Sequence, residues 1–425
     1  MSDDIPDYIG RDYRRRVVDD EISDMLGIFG GVHITGPKWC GKTWASMRHA
    51  RSVQYVGDEE SAYLAELDPE LALTGRRPRL IDEWQDVPKL WDVAKRIIDL
   101  EHDKGLFIFT GSSSSPKKPT RHSGIGRFAE IRMHTMSLFE SGDSSGSVSL
   151  SGLFNGEGMA NAKSSMGYRG AVRLICRGGW PSALGLDDDK AMMVAANYLG
   201  KITGPDPSRV DEKKRDATTM GLLLRSIARN SAGSPTAQAL IGDMTERGNP
   251  PSPNTLADYL EYLRNIFMID DQRAWLPSLR SKARLRSRSK IHFADPSLAA
   301  AALDASPEVL ARNPSTAGQL FESLCYRDMS VYTSALKGSV FHYQDSTGLE
   351  VDEVIELRNG KWGAVEVKLG TSEIDKAASN LMSLKNKVSE DMPEPSFLAV
   401  LCATSGLAYT RGDGVLVIPI DLLGP

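Results

Sequence analysis

The octapeptide Gly36-Pro37-Lys38-Trp39-Cys40-Gly41-Lys42-Thr43 constrains this chain more than any other stretch. It fits G-x-x-x-x-G-K-[ST], the phosphate-binding loop pattern. Glycines at both ends let the backbone curl without Cβ clashes, so successive N–H groups can face a phosphate. Lys42 is placed to bridge β- and γ-phosphates, and Thr43 to put its hydroxyl on Mg²⁺. The β-like run Val32–Thr35 precedes the loop, and a helix from about Gly41 to Arg51 follows it. That helix would aim its positive end at the same anion. The alternative is a plain glycine-rich turn, which the strand–loop–helix order argues against.

A second anchor lies about 40 residues on, at Arg79-Leu80-Ile81-Asp82-Glu83-Trp84-Gln85. An apolar strand ending in Asp-Glu suits Mg²⁺ held through Asp82 and a water oriented by Glu83 for in-line displacement. Both belong at the carboxyl edge of a parallel sheet. Val53–Val56 and Leu106–Phe109 read as further strands, and Ala129–Leu138 as a fifth. Thr110 and Ser112, at a strand end, are candidates for sensing the γ-phosphate, with an ordinary strand-ending turn as the equal alternative. Val87, Leu90, Trp91, Ala94, Ile97 and Ile98 fall on one helical stripe and read as core. Gly111–Gly126 reads as a mobile loop. Beyond it, Arg127 or Arg132 is a candidate for the cation that neutralises transition-state charge, with a structural salt bridge as the favoured alternative for either one singly. Residues 1–12 read as frayed, and Arg14-Arg15-Arg16 as a solvated face.

With 425 residues, two to four domains are expected. The net charge of −5 gives no global nucleic-acid signal, so such binding needs a local basic patch. Cys40, Cys176, Cys325 and Cys402 match no zinc spacing, and a reduced cytoplasmic protein is expected. No signal peptide and no membrane-length apolar run is visible. The sequence leaves assembly into an oligomer open.

The segments GPKWCGKT, LIDEWQ, FTGSSS and MHTMSLFESGDSSGSVSLSGLF together resemble a widespread family of bacterial and archaeal AAA-like P-loop ATPases over nearly the full length. The resemblance implies a RecA/AAA-type parallel sheet. It also implies ATP and Mg²⁺ as ligands of Gly36–Thr43, Asp82 and Glu83.

In the middle, Gly178-Gly179-Trp180-Pro181 resembles a motif of the same family, without an evident chemical role. Ser141–Gly152 reads as a connector. Helices near Asp216–Asn230, Thr236–Met244 and Asn254–Ile266 precede β-prone Phe267–Ile269 and Lys290–Phe293, an order that suggests a winged helix. Between those strands Arg280, Lys282, Arg284, Arg286, Arg288 and Lys290 alternate with other residues. In an extended wing all six charges share a face, which suits a DNA backbone. A solvated hairpin tip is the alternative.

The C-terminal region reads as a helix from Gly318 to Ala335, strands near Val340–Tyr343, Leu349–Leu357 and Lys361–Leu369, a helix near Glu373–Leu384, and strands Phe397–Cys402 and Val415–Ile418. Asp352, then Glu366-Val367-Lys368, with Glu322 on the preceding helix, resembles the PD-(D/E)XK nuclease-like superfamily. Alternation puts Glu366 and Lys368 on one side of the sheet. Asp352 and Glu366 suit a hard divalent ion, Lys368 a nucleophilic water, and Glu322 that water or the metal shell. A salt-bridge cluster on an inert sheet is the alternative.

The expected fold is α/β throughout. It comprises a P-loop ATPase domain (1–150), a helical and winged-helix region (151–293) and a nuclease-like domain (294–425). The expected activity is ATP hydrolysis tied to action on nucleic acid, with or without Mg²⁺-dependent cleavage. The competing expectation is an ATP-dependent binding switch.

Overall fold

The computed structural model describes residues 4–112, 124–158, 162–203, 215–245, 250–277 and 288–425. The chain separates into two compact units. The first is built on the chain up to Thr135, joined by Arg215 and Tyr259–Met268. The second holds Met136–Thr203, Asp216–Asp258 and Ile269–Pro425.

In the first unit, strands β1 (Gly31–Thr35), β2 (Ser52–Tyr55), β3 (Arg79–Asp82), β4 (Phe107–Gly111) and β5 (Phe128–Arg132) form one parallel sheet. Their order is β2-β3-β4-β1-β5. Sheets covered on both faces are built from continuous apolar runs. Here Leu80 and Ile108 serve one core with Val32, Ile34 and Ile131, while Ile81, Phe107 and Phe109 serve the other with Leu90 and Trp91. The helix Lys89–Glu101 buries Leu90, Trp91, Ala94 and Ile98, the expected stripe. Strand order reverses at β1, whose neighbours are β4 and β5. In such sheets ligands bind at the carboxyl ends beside that reversal, where Gly36–Thr43 begins.

Three readings of this unit change. The N-terminal stretch is not wholly frayed, because Tyr8–Asp12 is helical and Ile9 is buried on the sheet's core. Arg16 is not on a solvated face, being 3% exposed. The fifth strand stops at Arg132, where its pairing with β1 ends, and Leu138 instead begins a helix that Ser137 and Glu140 start with a capping box. Of the expected mobile loop, residues 113–123 lie outside the described residues.

In the second unit, β6 (Val148–Ser149) pairs with the chain's last strand, and β7 (Ile269–Gln272) pairs antiparallel with β8 (Lys290–Phe293). Helices Ala217–Arg229 and Ala237–Thr245 precede that ribbon, as does Pro253–Asn265, whose residues from Tyr259 on belong to the first unit. Then follow β9 (Gly338–Gln344), β10 (Glu350–Leu357), β11 (Trp362–Lys368), β12 (Leu398–Cys402), β13 (Tyr409–Thr410), β14 (Leu416–Pro419) and β15 (Leu423–Gly424). A six-stranded sheet runs β13-β14-β12-β11-β10-β9. The helix Ile374–Val388 closes one face, packing Ala377, Leu381 and Leu384 on Val351, Val354, Ala364 and Val400. The helix Pro314–Ala335 packs against β9, β10 and β11.

The serine-rich stretch read as a connector is instead structured. Ser149 caps the helix Leu150–Phe154, and Ser144 Oγ donates to the Leu423 carbonyl at 2.6 Å. The Gly178–Pro181 motif is architectural. The Gly179 N–H donates to Asp295 at 2.8 Å and Trp180 Nε1 to Ser297 Oγ at 2.9 Å. A Cβ on Gly179 would stand 2.1 Å from the Met136 carbonyl, so only glycine fits. Among the described residues no helix is long and apolar enough to cross a membrane.

Candidate functional site

The phosphate loop is shaped by its glycines. Gly36 has φ +144°, and a Cβ there would lie 2.2 Å from the Met133 carbonyl; Gly41 has φ +103°. Pro37 and Cys40 are buried, while Lys38 and Trp39 are exposed. Lys42 is buried, and its Nζ donates to the Gly36 and Pro37 carbonyls, each at 2.9 Å. Thr43 Oγ1 donates to Asp82 Oδ1 at 2.9 Å, and Thr110 Oγ1 to the same oxygen at 2.5 Å. Burial pushes the Asp82 carboxyl up, with Glu83 adding to it. Glu83 sits in the left-handed region at φ +58°. Its Oε2 accepts from Ser112 Oγ at 3.0 Å and from Gln85 Nε2. The adjacent hydroxyl of Thr43 and carboxylate of Asp82 are hard oxygen donors of the kind Mg²⁺ takes.

Arg127 is not at this site. It precedes β5, whose Phe128 is level with Gly31 at the amino end of β1. The loop leaves the other end, about 16 Å away at ~3.3 Å per residue. Arg127 instead donates to Asp99 at 2.7 Å. Arg132 is level with Thr35 at the loop end, and its guanidinium lies 5.2 Å from the centre of the Phe267 ring.

A second cluster lies where β10 and β11 part. Their pairing runs from Glu356↔Trp362 to Glu353↔Val365 and stops. A bulge falls between Val351 and Val354, as the register against β9 shows. Val351 and Val354 therefore both face the core under helix Ile374–Val388. Beyond the last pair, Asp352 Oδ2 takes the Val367 N–H at 2.9 Å, a donor that a continued ladder would have used. Lys368 Nζ donates to Asp352 Oδ2 at 3.0 Å and Glu366 Oε2 at 2.6 Å. Asn380 Nδ2 donates to Glu366 Oε1 at 3.0 Å. Thus Asp352, Glu366 and Lys368 meet in one fork.

Glu322 joins through a residue that the sequence reading placed elsewhere. Lys290, the first residue of β8, is 3% exposed. Its ammonium pairs with Glu322 at 2.7 Å, Glu350 at 2.9 Å and Asp352 at 3.5 Å. It therefore does not belong to a solvent-facing basic stripe. Arg280, Lys282, Arg284 and Arg286 lie outside the described residues, and Arg288 is exposed.

The charges explain the titration pattern. Burial pushes Glu322 up to about 8, with the Asp352 charge adding to it. Burial and Asp352 likewise push Glu366 up to about 7. Burial also opposes ionisation of Asp352, but Lys290, Lys368 and the Val367 N–H hold it below its usual value. Glu353, the bulge's other residue, is fully buried, and neither carboxyl oxygen has a hydrogen-bond partner among the described residues. Burial, then Glu322 and Asp352, raise its pKa well above the ordinary value. A cavity of about 580 Å³ opens beside the fork, lined by Glu322, Lys368, Asn380, Gly370, Lys376 and Tyr168 among others.

Sequence reasoning missed Gln85, Lys290, Glu350, Glu353 and Asn380. Only Gln85 carried a local signal, lying two residues beyond the acidic pair. Lys290 reads as part of the basic run, and Glu350, Glu353 and Asn380 carry no signal of their own until the fold gathers them.

Family models match three consecutive stretches. An AAA domain covers residues 30–141, and two domains of unknown function, DUF8612 and DUF4143, cover 169–309 and 317–423. No curated protein matches the sequence. Among solved structures, a Walker-type ATPase of Pyrococcus abyssi is similar at 12% identity and a TM-score of 0.41. That match covers 69% of this chain and 96% of the other. The Thermococcus gammatolerans McrB AAA+ hexamers with bound McrC match at 12% identity and a TM-score of 0.17. There the coverage is 49% of this chain and 47% of the other. With the loop, the acidic pair and the parallel sheet in place under the AAA domain matched over residues 30–141, the protein is a P-loop ATPase.

Proposed function

We propose that ATP turnover in the first unit governs action on nucleic acid by the second, and that the β10–β11 fork is a PD-(D/E)XK-type phosphodiesterase site. The observation that carries this reading is Lys368 Nζ held by both Asp352 and Glu366 beside an open cavity. Among the described residues, no three His, Cys, Asp or Glu side chains form a ready metal cage. A Mg²⁺ site needs only one or two carboxylates, because the ion keeps several waters. Asp352 and Glu366 would hold the ion. Bound there, Mg²⁺ would polarise a phosphodiester and make a bound water more acidic. Lys368 would orient that water through its ammonium. Glu322, on the cavity wall, is a carboxyl able to hold a proton near neutral pH. The three helices and the β7–β8 ribbon are read as a winged helix, with the basic run from Arg280 to Arg288 as its DNA contact.

A second reading is an ATP-dependent binding switch with an inert fork. Lys290 favours it, because its ammonium already neutralises three of the acids. Purified protein with Mg²⁺ or Mn²⁺ and single- and double-stranded DNA and RNA decides between them. The nuclease reading expects cleavage by wild type and none by Glu366→Ala. Nucleic-acid binding without cleavage in either metal would favour the switch.

A further inference from the structure

Arg16 precedes the matched AAA domain, which begins at residue 30, yet it is almost fully buried. Its Nη1 donates to the Cys40 carbonyl at 2.8 Å, inside the phosphate loop. Its Nη2 donates to the His134 carbonyl at 2.9 Å, in the chain leaving β5. That chain already crowds the loop, since the Met133 carbonyl is the atom that a Cβ on Gly36 would strike. The segment holding Arg16 is itself fastened. The Arg16 N–H donates to Asp19 Oδ2 at 2.8 Å, and Asp19 Oδ1 accepts from Tyr13 at 2.8 Å. The same oxygen pairs with His49 at 3.0 Å, in the last turn of the helix that the loop starts.

A peptide group is planar and trans, so its C=O and N–H point in opposite directions. Cys40 O and the Gly41 N–H belong to one peptide group. Fixing that carbonyl on a buried guanidinium therefore fixes the Gly41 N–H toward the opposite side, away from Arg16. Gly41 alone could not hold that orientation, because glycine is the least restrained residue in the chain. A planar fork that donates two bonds in fixed directions suits the task better than a flexible ammonium.

We infer that Arg16 is a positioning residue of the ATPase: it orients the Gly41 N–H as a phosphate donor by pinning the Cys40 carbonyl. It touches no nucleotide. Its removal lets the Cys40–Gly41 peptide rotate, so the loop must be ordered by the nucleotide itself. The loss appears in binding, while the groups that act on the γ-phosphate, Lys42 and Glu83, are unchanged.

The test compares wild type with Arg16→Met and Arg16→Lys, measuring the Kd for Mg·ATP by calorimetry, steady-state kcat and KM, and melting without nucleotide. Arg16→Met is expected to raise Kd and KM by ten-fold or more, with kcat within about three-fold. Arg16→Lys keeps the charge, but its single ammonium cannot span both carbonyls in the arginine's directions. It is expected to fold and to raise Kd by three-fold or more. Wild-type Kd in folded Arg16→Lys would overturn the inference, whether or not Arg16→Met folds. A loss confined to kcat would also overturn it, because Arg16 would then serve the chemistry rather than the binding loop.

Discussion

At the scale of a residue, the ammonium of Lys42 shows how a charge can be stored for a ligand. It rests on two carbonyls of its own loop, and a phosphate is a stronger partner for it. Mg·ATP at ~100 times its Kd should stabilise wild type by about 2.7 kcal/mol through mass action. Lys42→Ala should lose most of that thermal shift, and an unchanged shift would remove Lys42 from the site. Glu353 makes the opposite case, a buried carboxyl with no hydrogen-bond partner among the described residues. Its folded pKa is raised by burial, so above the usual 4.5 the unfolded chain releases a proton that the folded chain keeps. Stability from this group should therefore fall as pH rises from about 4.5 toward the folded value. Glu353→Gln keeps the shape and cannot ionise. Urea titrations should find it close to wild type at pH 4 and more stable at pH 8. Equal slopes of stability against pH would show that Glu353 does not carry the proton.

At the scale of an element, the informative feature is the interrupted ladder between β10 and β11. One extra residue in β10 sends Asp352 and Glu353 off the alternation that Val351 and Val354 keep with the core. Asp352 then serves twice, as acceptor for a backbone donor and as partner of two lysines. Asp352→Ala leaves the Val367 N–H without its acceptor, at a cost of about 1–3 kcal/mol. Asp352→Asn can still accept that bond, so denaturation should rank it between wild type and alanine. Asparagine no more stable than alanine would mean that the backbone bond contributes little. The basic run belongs to this scale as well. Neutralising Arg284, Arg286 and Arg288 should flatten log K against log salt by roughly 0.9 per lost phosphate contact. Lys290→Met would not test this, because that lysine answers to Glu322, Glu350 and Asp352.

Across the whole molecule, the two clusters share no side chain among the described residues, so loss of the second should leave ATP turnover by the first in place. Glu83→Gln keeps the shape of the residue but not its charge, so it should bind ATP and turn it over slowly. Glu366→Ala should leave the ATPase rate intact while abolishing Mg²⁺-dependent cleavage. Coupled ATPase assays and gel-based cleavage assays on the same preparations read both. Normal turnover by Glu83→Gln would exclude it as the water-orienting group. Cleavage that survives Glu366→Ala would place the activity elsewhere.

What the sequence by itself determined was whatever is local. The residues of Gly36–Thr43 are contiguous, and their geometry follows from backbone freedom at two glycines. The strand ending in Asp82-Glu83 and the helical stripe through Leu90 and Trp91 are likewise written in consecutive residues. Alternation placed Glu366 and Lys368 together for the same reason. Tertiary structure alone decided the rest. The serine-rich stretch became structured because the last strand of the chain pairs with it. Arg127 moved to the far end of the sheet because parallel strands put all their carboxyl ends at one edge. Arg16 left the surface, and Lys290 left the basic stripe, because buried carbonyls and carboxylates from other elements needed cations. A one-dimensional pattern shows that a residue is charged, but the partner that decides whether the charge is solvated or buried is supplied by a distant part of the chain.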